Sequence, residues 1–432
     1  MSDHIIGFAG LTHLGLNSAV SCAFRGFKTT GYHDDPQLVE NLNNGLPHVL
    51  EPQLPELMAE CRERLNFSAD ISCLHDCDLV YIAVDVPTND TGESDLSSVE
   101  HIISKTCAAM NEKAILVVLC QVPPGFTRKL TWPKERLYYQ VETLIFGRAV
   151  DRAINPERYI IGCNNPEQAL PPVMANLLGA FNCPVLPMKY ESAELAKISI
   201  NMFLVASVSA SNTLAELCEK IGADWFEIIP ALRLDKRIGN YAYLNPGLGI
   251  SGGNLERDLN TILELSERHH TDGGVVASWI SNSKHRKNWA WEKLNEFVLT
   301  KFPEPRIALL GLAYKENTHS IKNSPAIALL NKIRGKQVIA YDPAVGKDLA
   351  GAKVNRVQSA LEALDAADVL LVMTPWPEFK TIATTDLIER MKGRIVIDPY
   401  GILNETELIR EGFQYVTLGR PVKEAISSKN MI

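Results

Sequence analysis

Short apolar runs alternate with stretches of helical periodicity through the first part of the chain. The run at 5–9 leads into glycines at positions 10 and 15, then a helical pattern, then a second run at 27–32. Further strands are predicted at 79–84, 114–119 and 159–162, with a helix at 98–110. Strand, glycine turn, helix and strand in this order are typical of a dinucleotide-binding fold, and the alternation predicts a mostly parallel, doubly wound sheet.

The same alternation restarts in the last third of the chain. A helical pattern without proline or glycine spans 191–221, another spans 279–299, and prolines at 303 and 305 indicate a boundary. Beyond it, strands are predicted at 306–311, 337–342, 369–373 and 394–398, with a helix at 325–333. We therefore expect an α/β protein with two Rossmann-like, doubly wound domains joined by a long central helix, with boundaries at 1–190, 191–300 and 301–432.

Composition narrows the class of protein. Apolar residues make up 46% of the 432 residues, enough for large cores, and the net charge of −8 argues against nucleic acid as the main partner. No apolar window of about 18 residues predicts a membrane span, and no basic flank predicts a secretory signal. Nine scattered cysteines match no zinc or redox pattern, so we expect no metal site and a cytoplasmic location.

A glycine-rich stretch, NPGLGISGGNLERDL, occupies 245–259. Its ordinary interpretation is a flexible surface loop before a helix. The stretch resembles the active-site loop of the UDP-glucose/GDP-mannose dehydrogenase family, which has the form PGxGxGGxCxxKD. The register has no gap, and it places Asn254 where the family has its catalytic cysteine, Arg257 at the family's lysine and Asp258 at its aspartate.

The resemblance extends over nearly the whole chain. Segments similar to family motifs lie, in family order, at 43–54, 81–96, 120–127, 141–162, 193–204, 234–239, 310–325, 341–343 and 374–379. Members of the family oxidise the primary alcohol of a nucleotide sugar to a carboxylate with two NAD, and a long helix builds their dimer. The resemblance therefore implies NAD, a UDP- or GDP-linked sugar, a homodimer and a role in polysaccharide biosynthesis. It places the active-site loop in 191–300 and nucleotide-sugar binding in 301–432.

The residues that the resemblance assigns to the first oxidation are retained. Lys197 and Asn201 lie four apart, so on a helix they share one face and can converge on one substrate oxygen. Asp258 is a candidate to hold a water or orient Lys197, and Glu142 is a candidate base. Taken alone, each of these side chains would more often belong to a solvated helix face or an ordinary surface.

The residues of the second oxidation are replaced. Asn254 carries an amide, which has no nucleophilic atom to attack an aldehyde. Phe146 stands at a family glutamate and Gln121 at a family threonine. Cys120 falls on the family's serine, and nothing in the sequence activates it as a substitute nucleophile.

The cofactor site implied by the resemblance also departs from its family. The residues at it are Gly10, Thr12, His13, Leu14, Gly15, His33, Asp34 and Gln121. Thr12 replaces the middle glycine of the family's GxGYVG, which adds bulk near the pyrophosphate. His33 aligns with the acidic residue that binds the ribose, and Asp34 substitutes for it only with a register shift. These changes weaken the prediction of NAD, and a histidine facing a phosphate would indicate NADP.

Nucleotide-sugar contacts are implied for Arg237, Asn245, Gly249, Gly252, Arg257, Lys315 and Lys322. Two main hypotheses follow. The first is a nucleotide-sugar oxidoreductase limited to a two-electron step. The second is a pseudoenzyme that binds a nucleotide sugar or a partner protein. A full four-electron dehydrogenase with another nucleophile ranks last.

Overall fold

The computed structural model describes residues 4–86, 94–346 and 354–423. Part of the family-like segment at 81–96 and the polar C-terminal tail lie outside the described residues. The chain divides into two compact units, Met1–Ile200 and Asn201–Ile432. Each unit is built around its own sheet.

The first unit contains an eight-stranded sheet in the order β3-β2-β1-β4-β5-β6-β7-β8. Its strands are β1 Ile5–Ala9, β2 Lys28–Tyr32, β3 Leu65–Ser68, β4 Leu79–Ile82, β5 Ile115–Val118, β6 Leu137–Gln140, β7 Tyr159–Cys163 and β8 Val185–Lys189. Neighbouring strands are parallel except β6 and β7. The order 3-2-1-4-5-6 is that of a dinucleotide-binding sheet, which brings the ends of β1 and β4 to its switch point.

Helices cover both faces of this sheet, and β4 and β5 are buried along their whole length. The helices are α1 His13–Phe24, α2 Pro36–Asn43, α3 Leu54–Glu60, α4 Ser97–Ala109, α5 Phe126–Lys129, α6 Ala149–Ile154 and α7 Pro172–Gly179. Burial on both faces explains why these strands read as continuous apolar runs rather than alternating ones. The two faces carry separate apolar cores.

A 32-residue helix, α8 Tyr190–Ile221, carries the chain from the first unit into the second. Its sequence has no proline or glycine to interrupt the backbone hydrogen bonds. By length and composition alone, α8 is the one described helix that would also reach across a membrane. A partly buried core helix of a soluble protein meets the same criterion.

The second unit contains a six-stranded parallel sheet in the order β11-β10-β9-β12-β13-β14. Its strands are β9 Arg306–Leu310, β10 Gln337–Tyr341, β11 Asn355–Arg356, β12 Val369–Val372, β13 Ile395–Ile397 and β14 Gln414–Val416. Its helices are α9 Trp225–Leu234, α10 Asn254–His269, α11 Gly274–Lys287, α12 Trp289–Leu294, α13 Pro325–Lys332, α14 Ala360–Leu364, α15 Thr384–Arg390 and α16 Glu405–Arg410. The prediction of two Rossmann-like units and a long helix is confirmed.

Some elements differ from the sequence-based expectation. The helix predicted at 279–299 is instead α11, α12 and a π-helical turn, Asn295–Leu299. Strands β3, β6, β8, β11 and β14 are not predicted; β3 and β8, the outermost strands of the first sheet, are only partly buried and so lack a continuous apolar run. The three domain boundaries remain a prediction.

Candidate active site

The turn after β1 has the shape that a dinucleotide phosphate needs. Gly10 adopts φ +101°, and a Cβ atom on Gly15 would lie 2.0 Å from the Gly10 carbonyl oxygen, so both positions require glycine. The Thr12 hydroxyl donates to the Ala83 carbonyl at 3.2 Å, and no side chain caps α1. The first amides of α1 are therefore left without a side-chain cap, as an anion site at a helix N-terminus requires.

Position 12 is thus compatible with the cofactor in spite of the lost glycine. His13 and Leu14 are the first two residues of α1, and the Leu14 side chain is buried. At the end of β2, the Asp35 amide donates to His33 Nδ1 at 3.1 Å, and the Asp34 side chain is 77% exposed. Asp35 caps α2, so it is committed to the helix. The residues that the resemblance assigns to the ribose differ from the family pattern, while the phosphate turn fits it.

Glu142 and Lys197 meet in the first unit. The Lys197 ammonium donates to the Glu142 backbone carbonyl at 2.5 Å. Burial raises the pKa of the Glu142 carboxyl to about 7, while the positive charges of Lys197 and Arg152 oppose this rise. The Arg152 guanidinium also donates to the Thr143 carbonyl at 2.7 Å. A carboxyl with a pKa near neutrality, on a backbone held from two sides, is suited to accept a proton.

Asn201 and Asp258 meet in the second unit. The Asn201 amide donates to Asp258 Oδ2 at 2.5 Å. Arg257 Nε lies 3.5 Å from Asp258 Oδ1, and both side chains are at least 95% buried. Asp258 lies one turn after the first residue of α10, which places it behind the glycine loop. The resemblance assigns Asn201 and Asp258 to the first oxidation and Arg257 to substrate binding, and the structure brings Asn201 and Arg257 into contact with Asp258.

Three surrounding elements hold the glycine loop at 245–253. The Gly247 amide donates to Asn212 Oδ1 on α8, the Ile250 amide to Ser283 Oγ on α11, and the Gly252 amide to the Lys322 carbonyl. The loop is therefore anchored rather than a flexible connection. Asn245 at its start and Asn254 at its end are exposed.

Gly249 and Gly247 provide a matched pair to test this anchoring. Gly249 has φ +79°, and a Cβ there would lie 2.4 Å from the Ser283 carbonyl, so we expect Gly249→Ala to destabilise the protein by about 2 kcal/mol. A Cβ on Gly247 meets no atom within 4 Å, so Gly247→Ala should have little effect. Urea unfolding of the two variants measures the difference. Equal stabilities would contradict this account of the loop.

The two candidate nucleophile positions have different environments. Asn254 is the first residue of α10 and presents an exposed amide. Cys120 is fully buried, its thiol donates to the Ile82 carbonyl at 3.2 Å, and burial raises its pKa to about 12. Since a thiolate is the reacting form, Cys120 is not an effective nucleophile at neutral pH.

The cationic candidates are dispersed in the second unit. Lys315 Nζ lies 5.8 Å from the centre of the Tyr314 ring, and Lys322 binds the glycine loop through its carbonyl. Arg237 is 88% exposed and forms a bidentate contact with Asp235 in its own loop. Their roles in substrate binding remain predictions, as do those of Gln121 and the loop glycines.

One buried carboxylate beside the cofactor turn is absent from the sequence-based set. Glu51 has a fully buried side chain, and its carboxylate lies 2.6 Å from His13 Nε2. The family-like segment at 43–54 contains this glutamate, so the resemblance offered a signal, but spacing alone does not reveal its contact with a residue 38 positions away.

Models of one protein family match residues in both units of the chain. Residues 4–181 match the NAD binding domain of the UDP-glucose/GDP-mannose dehydrogenase family. Residues 191–284 match its central domain, and 308–405 match its UDP binding domain. NAD is therefore the cofactor of the first unit, in agreement with the phosphate turn.

Whole-length relatives show the same relationship. The UDP-glucose 6-dehydrogenase of Rickettsia conorii is 29% identical over 438 residues, covering 96% of this chain and 100% of the relative. The UDP-glucose 6-dehydrogenase TuaD of Bacillus subtilis is also 29% identical, covering 96% and 93%.

Solved structures share the fold. A UDP-glucose dehydrogenase from Pyrobaculum islandicum superimposes with a TM-score of 0.82 at 26% identity, covering 92% of this chain and 94% of the other. A UDP-D-ManNAc dehydrogenase from Pyrococcus horikoshii, with a TM-score of 0.83 at 24% identity and coverages of 96% and 99%, shows the fold alone. Three consecutive domain matches, two similar relatives and the phosphate turn lead to one conclusion: this chain belongs to the UDP-glucose/GDP-mannose dehydrogenase family.

Proposed function

We propose that this protein is an NAD-dependent dehydrogenase of a nucleotide sugar whose reaction ends at the aldehyde. The proposal rests on one observation: the acid–base residues are retained, and the nucleophile is missing. Lys197 and Glu142 are in contact, as are Asn201 and Asp258, whereas Asn254 replaces the cysteine.

Removal of the alcohol proton is the task of the first unit. NAD supplies the hydride acceptor. Glu142 would accept the alcohol proton, and a bound NAD would supply the two-electron oxidant that balances formation of an aldehyde. Because the Glu142 pKa is about 7, the carboxylate is available at neutral pH and still basic enough to take the proton. The Lys197 ammonium, held at the Glu142 carbonyl, supplies positive charge for the alkoxide that develops.

Asn201 is the residue proposed to bind a substrate oxygen. Asn201 presents an amide whose orientation is set by its hydrogen bond to Asp258, and Arg257 balances the charge of that buried aspartate. A fixed amide is a donor or acceptor for a sugar oxygen without a change of protonation.

Oxidation of an aldehyde to a carboxylate requires a covalent adduct in this family's chemistry. An amide nitrogen at Asn254 does not form that adduct, because its lone pair is delocalised. Cys120 does not replace it, because its thiol is buried and its pKa is about 12. The aldehyde is therefore the expected product.

The nucleotide of the substrate is expected to be UDP. Residues 308–405 match a UDP binding domain, and this range contains Lys315 and Lys322, whose positive charges suit a diphosphate.

The proposal is tested with purified protein, NAD and a panel of UDP- and GDP-linked sugars. We expect one NADH per sugar and a product that hydroxylamine traps as an aldehyde oxime, seen by mass spectrometry. Two NADH and a uronic acid would contradict the two-electron limit. Binding of a nucleotide sugar without any NADH would favour the non-catalytic alternative.

The proposed assembly is a homodimer formed through α8. Along this helix, Phe203, Leu214, Leu217 and Ile221 are 46–78% exposed and are separated by three or four residues or by sums of these spacings. Ser207 and Ala210 lie between them on the same stripe. An exposed apolar stripe of this length on a soluble protein is typical of a protein–protein contact.

We expect Phe203→Glu to convert the dimer to a monomer, because it places a charge within the apolar stripe where Phe203 is 78% exposed. Light scattering after size exclusion measures the mass. Leu186→Glu is the control, since Leu186 is an exposed apolar residue on β8 and lies outside the stripe. A wild-type monomer, or a dimer that persists in Phe203→Glu, would contradict the assembly through this helix.

A further inference from the structure

Glu51 is a buried carboxylate with three partners. Its side chain is fully buried and accepts hydrogen bonds from the Gly147 amide at 2.7 Å and the Ala149 amide at 3.1 Å. His13 Nε2 lies 2.6 Å from its Oε1. In the part of the chain that the structure describes, His13 is the titratable side chain that Glu51 contacts.

His13 is placed where this pair meets the cofactor turn. It is the first residue of α1, directly after Thr12, and its side chain is 11% exposed. Its ring lies against the Phe146 ring with 4.1 Å between centroids. The imidazole is thus fixed on one side by a carboxylate and on one face by an aromatic ring, beside the uncapped amides of the phosphate turn.

A buried carboxylate requires compensating positive charge. Two backbone amides provide part of it, and the His13 imidazole, 2.6 Å away, is the side chain placed to provide the rest. A dinucleotide brings two further negative charges to the same turn. An imidazolium there stabilises the diphosphate as well as Glu51. This stabilisation compensates for part of the phosphate binding that is lost because Thr12 stands at the family's glycine.

We propose that His13, held by Glu51 and Phe146, binds the diphosphate of the dinucleotide as an imidazolium. The affinity for the dinucleotide is then linked to a proton: it is high when His13 is protonated and falls as the pH rises. At alkaline pH, binding takes up a proton from solution. This inference rests on the proposed function only through NAD binding, so a protein that binds NAD without turnover leaves it standing.

Other charged groups surround this pair. His48 lies close enough to His13 and His33 for their positive charges, after burial, to lower its pKa, while Asp85 opposes the change. His33 is near Asp34. His33 and His48 are two further imidazoles near this pair, so the experiment must separate His13 from both.

Isothermal titration calorimetry in buffers of different ionisation enthalpy counts the protons. The ligands are NAD, ADP-ribose, which retains the diphosphate, and adenosine, which lacks it. For wild type we expect proton uptake with NAD and ADP-ribose at pH 8.5, none with adenosine, and about ten-fold weaker NAD binding at pH 9 than at pH 6.

His13→Phe should bind ADP-ribose about ten-fold more weakly at pH 6 and take up no proton at pH 8.5. His33→Phe and His48→Phe should retain the uptake. His75→Phe is the matched control, because His75 pairs with Asp76 at the surface with 63% of its side chain exposed.

Three results would overturn the inference: no dinucleotide binding, pH-independent binding by wild type, or uptake that persists in His13→Phe. Circular dichroism establishes whether each variant is folded. If His13→Phe does not fold, the proton uptake of wild type, His33→Phe and His48→Phe still tests the inference. Loss of uptake in His33→Phe or His48→Phe would assign the proton to that histidine instead of His13. Failure to oxidise any sugar would count against the proposed function alone.

Discussion

Replacing Asn254 with cysteine is expected to change the product from an aldehyde to a carboxylate. A thiol at the first residue of α10 stands at the N-terminus of a 16-residue helix, where the helix dipole favours the thiolate. Its attack on the aldehyde gives a thiohemiacetal, a second hydride leaves to NAD, and water releases the acid. The measured ratio of NADH to sugar should rise from one to two, and a uronic acid should appear by mass spectrometry.

Asn254→Ser is the matched control. It removes the amide and places a hydroxyl of similar size to the thiol at the same exposed position, but a hydroxyl without a paired base is a weak nucleophile. We expect this variant to stop at the aldehyde, as wild type does. A wild-type ratio of two, or an unchanged ratio in Asn254→Cys, would mean that the identity of residue 254 does not set the product.

The Glu142→Gln substitution is expected to reduce kcat/KM by about 100-fold or more, because general-base catalysis contributes about 10²–10⁴ in rate. The wild-type rate should rise with pH up to about 7 and then level off, since the carboxylate is the active form and its pKa is about 7. Below that pH the rate should fall about ten-fold per unit. Glutamine does not titrate, so this limb should vanish.

Glu167→Gln is the control for Glu142→Gln, because Glu167 is an exposed carboxylate of the same unit. Its rate and pH profile should match those of wild type. An acid limb that survives in Glu142→Gln would assign the proton acceptor to another group. Unchanged melting temperatures would separate a lost base from a lost fold.

If both results hold, this protein releases a reactive aldehyde, whereas its family carries out a four-electron oxidation to the carboxylate. Such a product requires a consumer that acts on an aldehyde, by reduction, amination or condensation. The retained contact of Glu142 with Lys197 fits an enzyme under this constraint better than a binding protein, because a general base is not needed to hold a nucleotide sugar.

Many features of the site follow from local sequence. The spacing of Lys197 and Asn201 places them on one helix face, and α8 confirms the helix. The register of the glycine stretch is enough to locate Asn254, because no insertion separates it from the flanking glycines. Nothing in that register indicates that Ser283 and Lys322 anchor the loop, since those contacts join distant positions.

The burial of individual polar side chains is the property that sequence patterns predict least well. Glu142 is a plausible base from its motif, but its shifted pKa depends on what encloses it. Cys120 is a candidate nucleophile by position and is excluded by its surroundings. Thr12 looks incompatible with a phosphate until its hydroxyl is seen to bind the Ala83 carbonyl.

The sequence by itself determined the two sheets, the long helix, the family and the absence of a thiol at position 254. These depend on periodicity and on the order of short motifs, which are local. The tertiary structure alone decided that Glu51 meets His13, that Asn201 meets Asp258 and that the Cys120 thiol is buried. Such contacts join residues distant in sequence, and the pKa and charge of each group depend on that enclosure rather than on its neighbours in the chain.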